Sequence, residues 1–119
     1  MKISQSYVGQ KAIATSNNPA NLLEAKVWLD LYLALLKNPE AEEVQRYAVL
    51  IRDEIISERS RGIEKAQVFA TLARAKANER RPLYVAGMEA RALELLSNPF
   101  DWKMAQLFAD FALELSLEH

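Results

Sequence analysis

Residues 18–39 read NPANLLEAKVWLDLYLALLKNP, a run rich in apolar side chains held between two Asn-Pro pairs, Asn18-Pro19 and Asn38-Pro39. Asparagine caps a helix by accepting from a free backbone N–H, and proline suits the first turn, where its missing N–H costs nothing. Between the pairs, Leu22, Leu23, Val27, Trp28, Leu29, Leu31, Tyr32, Leu33, Leu35 and Leu36 cover almost every side of a helix, leaving Lys26, Asp30 and Lys37 as a narrow polar seam. The strict alternation of a strand is missing. The run predicts a helix over 19–37 that lies centrally or under a partner. Glu24, Lys26 and Asp30 interrupt it, and it is shorter than the roughly 20 apolar residues a bilayer-spanning helix needs, so no membrane is expected as a partner.

The same punctuation recurs at Asn98-Pro99, and Pro82 after Arg80 and Arg81 marks a further start. From Pro39 to about residue 59, Val44, Tyr47, Ala48, Ile51 and Ile55 fall on one buried face, and Gly62 reads as a helix stop. From 63 to 80, Ala66, Ala70, Ala73 and Ala77 form a stripe of small side chains beside Val68, Phe69 and Leu72, which lets a neighbour approach closely. The 82–97 segment carries Val85, Met88, Ala92, Leu95 and Leu96, and the 99–116 segment carries Phe100, Met104, Leu107, Phe108, Phe111 and Leu115.

Laying 35–39 over 95–99, an offset of 60, aligns Leu-Leu-Lys-Asn-Pro with Leu-Leu-Ser-Asn-Pro. Trp28 then falls on Met88, Leu33 on Leu93, Val44 on Met104, Tyr47 on Leu107, Ile51 on Phe111 and Ile55 on Leu115. The fold expected is an all-α bundle of five main helices, two αα-hairpins joined by the Ala-rich helix. Residues 1–17, with Ser4, Ser6, Gly9, Thr15 and Ser16, read as an N-terminal arm or a short docked helix. Residues 18–116 form the single domain. Leu117-Glu118-His119 looks like the beginning of an appended polyhistidine tail, so 117–119 are set apart.

Composition narrows the chemistry. The chain has 119 residues, 50% of them apolar and 26% charged, with three Gly, four Pro and no Cys. That is one folded domain, too apolar for intrinsic disorder. Without cysteine there is no disulfide, thiol catalysis or thiolate metal site, and the cytoplasm is the default setting. The one histidine is His119, so the usual general base and the common metal ligand are absent from the domain. Glu54 with Glu58, or Asp110 with Glu114, share helix faces, but the carboxylate-bridged di-iron pattern needs Glu-x-x-His motifs, and solvated polar faces explain the pairs. Gly9, Gly62 and Gly87 are isolated and make no phosphate loop. No catalytic residue, cofactor or metal is expected, and the chain does not read as an enzyme.

Charge is blocked although it sums to −1. Segments 1–37, 38–58, 59–91 and 92–119 carry local balances of +2, −4, +5 and −4. The basic block offers Arg59, Arg61, Arg80 and Arg81 as contacts for an anionic partner, which keeps nucleic acid as an alternative reading. These arginines sit at opposite ends of the Ala-rich segment, roughly 27 Å apart at 1.5 Å per helical residue, so they make two poles and no stripe. Complementing helix ends and acidic neighbours is the plainer role.

The last segment supplies a second apolar stripe, Trp102, Ala105, Ala109 and Leu113, opposite Met104, Leu107 and Phe111. One helix needing two covered faces lies centrally or meets another chain. Trp102, Leu113, Ile3 and Tyr7 are therefore the candidate partner contacts. The function expected is a non-enzymatic helical interaction module: an adaptor, assembly factor, inhibitor or small chaperone that binds another protein or a second copy of itself.

Overall fold

A computed structural model describes residues 2–57, 62–78 and 81–118. Among these residues every regular element is helical: α1 (Gln5–Ser16), a 3-10 turn (Pro19–Asn21), α2 (Leu22–Lys37), α3 (Glu42–Ile56), α4 (Gly62–Lys76), α5 (Leu83–Leu96) and α6 (Trp102–Leu117). The all-α class expected from the sequence is what the chain adopts. The Asn-Pro pairs act one turn earlier than expected. Asn18 Oδ1 accepts from the Ala20 N–H at 3.0 Å and Asn98 Oδ1 from the Phe100 N–H at 3.0 Å, each closing a turn about its proline. In all three cases the α-helix begins at the third residue past the proline, at Leu22, Glu42 and Trp102.

The N-terminal residues form a docked helix. Ser4 caps α1 by accepting from the Tyr7 N–H at 3.1 Å, and Val8 is fully buried. Gly9 lets the Tyr32 ring come close, since a Cβ there would lie 3.2 Å from it. Ahead of the helix, the Gln45 side chain holds both backbone groups of Ile3, accepting from its N–H at 2.8 Å and donating to its carbonyl at 3.0 Å.

Three antiparallel pairs build the domain: α1 with α2, α3 with α4, and α5 with α6. The middle helix α4 also packs on α2 and on α6. The α5/α6 hairpin is as expected, whereas α2 and α3 touch only near their joint. There Asn38, at φ −152° and ψ 78°, ends α2 in an extended conformation that turns α3 away, and α3 packs its Val44, Tyr47, Ala48 and Ile51 face against α4. The centre is thus α4 rather than α2. Its alanines Ala66, Ala70 and Ala73 are fully buried with Val68 and Leu72, because small side chains let neighbouring backbones close in on several sides. Helix α2 buries Val27, Trp28, Leu31, Ala34 and Leu35 and leaves Leu22, Leu29, Leu33 and Leu36 at the surface.

Gly62 is no helix stop: it opens α4, and a Cβ there would stand 2.6 Å from the Glu54 carbonyl oxygen of α3. Only glycine permits that approach without a backbone shift.

Candidate functional site

Helix α6 departs most from expectation. Its inward side is Ala105, Ala109, Ala112 and Ser116, all buried, and it meets the alanines of α4. The large side chains expected in the core face out instead: Phe100 is 84% exposed, Met104 49%, Leu107 46% and Phe111 45%. Two small-residue surfaces pack backbone to backbone, which leaves no depth between α4 and α6 for Met or Phe. Of that set only Phe108 and Leu115 are half-buried, wedged toward the rest of the fold.

The candidate partner contacts are placed as follows. Trp102 and Leu113 are half-buried on α6, with the Lys103 ammonium 5.7 Å from the centre of the Trp102 ring. Leu113 joins Leu33, Lys37 and Arg74 in an open hollow of about 160 Å³ between α2, α4 and α6. Ile3 is only 8% exposed and belongs to the core. Tyr7 is 39% exposed, edge-on to Trp28 with ring centres 6.3 Å apart, and with Ile3, Lys2, Ser4 and Arg52 it lines a separate hollow of about 300 Å³, so Ile3 and Tyr7 lie together and apart from Trp102 and Leu113. The four residues do not form one surface. Two rows of large apolar side chains are exposed instead: Met104, Leu107 and Phe111 on α6, with Phe100 just before it, and Leu22, Leu29, Leu33 and Leu36 on α2.

Among the anionic-contact candidates, Arg59, Arg61 and Arg80 lie outside the described residues. Arg81 is engaged internally: its guanidinium lies 3.0 Å from Glu89, and Lys76 reaches the same carboxylate at 2.8 Å and Glu43 at 2.6 Å. Glu89 is 2% exposed, so this cluster ties α5 to α3 and α4 through charges removed from water. Burial pushes the Glu89 carboxyl up, opposed by Lys76 and Arg81. The Lys76 hydrogen bond pulls Glu43 down against a smaller effect of its own burial. Burial, and next the Glu89 charge, push the Tyr47 phenol up.

A second cluster joins α2 to α4. Asp30, 4% exposed, is met by Lys26 at 3.0 Å, Gln67 at 2.7 Å and Arg74 at 3.2 Å. The polar seam of α2 therefore points partly at α4 and not only at water. Sequence reasoning missed both clusters. A signal existed, since Glu89 sits among Val85, Met88, Ala92 and Leu96 on the apolar side of its helix, where a carboxylate needs a partner.

In both clusters each carboxylate is held by cations or amides. Among the described residues no three His, Cys, Asp or Glu side chains are grouped to hold a metal ion, and no helix is long and apolar enough to cross a membrane. No protein-family model, curated protein or solved structure matches the chain.

Proposed function

We propose that this chain is a non-enzymatic helical interaction module whose working surface is the outer face of α6. The adaptor, assembly-factor, inhibitor and small-chaperone readings all share that one physical act, burial of an apolar stripe against another polypeptide. One observation carries the proposal: α6 turns Met104, Leu107 and Phe111 to solvent, with Phe100 exposed in the turn before it, while its alanines fill the interior. Fully burying an exposed large apolar side chain is worth about 1.5–3 kcal/mol; Met104, Leu107 and Phe111 are already about half-covered, so each has roughly half of that left to gain, and Phe100 most of it. Scattered exposed leucines are ordinary; an aligned row of large residues marks a contact.

The nucleic-acid reading draws less support. Arg74, Lys76, Arg81 and Arg91 each lie within ion-pair distance of a carboxylate, so much of the basic block is already neutralised by its neighbours.

Replacement of Leu107 by the photo-crosslinking residue benzoylphenylalanine, in cells making the full chain, tests the proposal. Illumination should give a discrete covalent adduct that Phe111→Glu suppresses, while the same residue placed at Glu42 gives none. Absence of any discrete adduct from position 107 overturns it.

A further inference from the structure

The occupant of the α6 face can be read from the pattern of the face itself. On α6, Met104, Leu107 and Phe111 are spaced 3 and 4 residues apart, the seam spacing of two helices packed side by side, and Phe100 stands exposed in the turn just before the helix. Helix α6 uses its alanine side on α4 and α5, so the seam is open along its length. The internal offset of 60 residues sharpens the point. Met104, Leu107 and Phe111 correspond to Val44, Tyr47 and Ile51, each of which is fully buried where α3 packs into the fold. The same apolar pattern is covered by a helix in one half of the chain and uncovered in the other.

The flanking charges select the cover. Lys103 and Asp110 are both exposed and lie on the same flank of the seam, seven residues apart, which is two helical turns. Neither has an opposite charge within ion-pair distance among the described residues. Lys103 rests over the Trp102 ring, and Asp110 accepts from Gln106 at 2.8 Å. In an antiparallel helix pair each flank meets the same flank of its partner. A two-fold axis passing beside Gln106 and Leu107 then sets Lys103 opposite the partner's Asp110, and does so twice by symmetry. A parallel pairing sets opposite flanks together, so Lys103 and Asp110 of one copy meet neither residue of the other and the charges contribute nothing.

We infer that the chain forms a two-fold dimer in which α6 pairs antiparallel with α6 of a second copy, Leu107 lying at the axis and Met104 against the partner's Phe111. The inference rests on the reading of the α6 face as an interaction surface and names its occupant. The other uncovered row, Leu22, Leu29, Leu33 and Leu36 on α2, is flanked by Lys26 and Lys37. Those two cations offer Asp110 a partner but Lys103 none, so the row lacks the self-complementary pair that α6 carries.

The test is a charge swap read by sedimentation across a concentration series. The wild-type chain should reach twice its 13.5 kDa. Lys103→Asp alone and Asp110→Lys alone each turn two attractions into repulsions and should raise the dissociation constant about tenfold or more. Mixing the two single variants should restore a dimer, because each then supplies what the other lacks, and the double variant should dimerise by itself. Unchanged far-ultraviolet circular dichroism shows that the variants are folded. Leu107→Lys gives a second, charge-independent check and should yield monomer.

Wild type that stays monomeric up to about 500 µM, a concentration at which even weak specific dimers form, overturns the dimer. So does a dimer indifferent to Lys103→Asp and Leu107→Lys, or growth beyond two copies. The crosslinking experiment separates the two levels. A Leu107 adduct of some other mass, with a monomeric chain, removes self-pairing and leaves the interaction module standing. No adduct and no dimer remove both.

Discussion

Two residues test how tightly the fold is specified at the scale of single side chains. Gly62 lets α4 start beneath the Glu54 carbonyl, 2.6 Å from where a Cβ would sit. Gly62→Ala should cost about 1–3 kcal/mol of unfolding free energy, since backbone and not a flexible side chain has to yield. A urea midpoint equal to that of the wild type contradicts this close approach. Glu89 and Glu43 share Lys76 but respond to pH in opposite senses. Burial raises the Glu89 carboxyl, so its contribution to stability is fully present below the ordinary carboxylate value and is lost as pH rises through its folded value. Lys76 lowers Glu43, whose contribution is present above the ordinary value and is lost as pH falls through its folded value. Between about pH 4 and 7, the stability margin of wild type over Glu89→Gln should therefore narrow with rising pH, and that over Glu43→Gln should narrow with falling pH. Urea unfolding at several pH values measures both, and parallel margins for the two variants refute the assignment. Neither effect was visible in the sequence, where Glu43 and Glu89 stand 46 positions apart.

For helices, the question is which side faces in. Both sides of α6 are apolar, so periodicity alone left its rotation open, and the larger side chains were expected inside. The small residues of α4 decided otherwise. Ala70, Ala73 and Ala77 present a low surface, and Ala105, Ala109 and Ala112 match it in height where Met104 and Phe111 do not. Ala109→Leu should destabilise the chain by about 1–3 kcal/mol through overpacking. Leu107→Lys, in dilute solution, should leave stability within about 0.5 kcal/mol of wild type. The reverse ranking in urea melts means α6 is turned the other way. On α5, Gly87 is exposed in mid-helix and a Cβ there meets nothing within 4 Å. Gly87→Ala should raise monomer stability by about 1 kcal/mol, the helix-propensity difference, and a loss instead reveals a close neighbour at that spot. By contrast, α3 was legible from its sequence: Val44, Tyr47, Ala48 and Ile51 are large or small on one side only, and that side is buried.

Across the whole molecule, three helix pairs line up around α4, and the outermost pair ends on an apolar face. Association through that face couples stability to concentration, because a dimer that binds only folded chains draws the equilibrium toward them. The thermal midpoint of the wild type should rise with protein concentration, and that of Lys103→Asp should stay nearly flat over the same range. Scanning calorimetry at three or more concentrations reads this directly, and a flat wild-type midpoint argues against the dimer. Local residue pattern was enough for the helical class, for the joints at Asn18-Pro19, Asn38-Pro39 and Asn98-Pro99, and for the lack of cysteine and of any internal histidine. Those are local properties: a cap, a missing N–H, a 3.6-residue period or an absent side chain is legible within a few positions. Tertiary structure alone decided that α3 turns to α4 and not to α2, that Asp30 and Glu89 are buried among cations, and that α6 shows its largest side chains to water. Each of these depends on the depth and charge of a surface contributed by residues far away in the chain, where the free energy of packing is set.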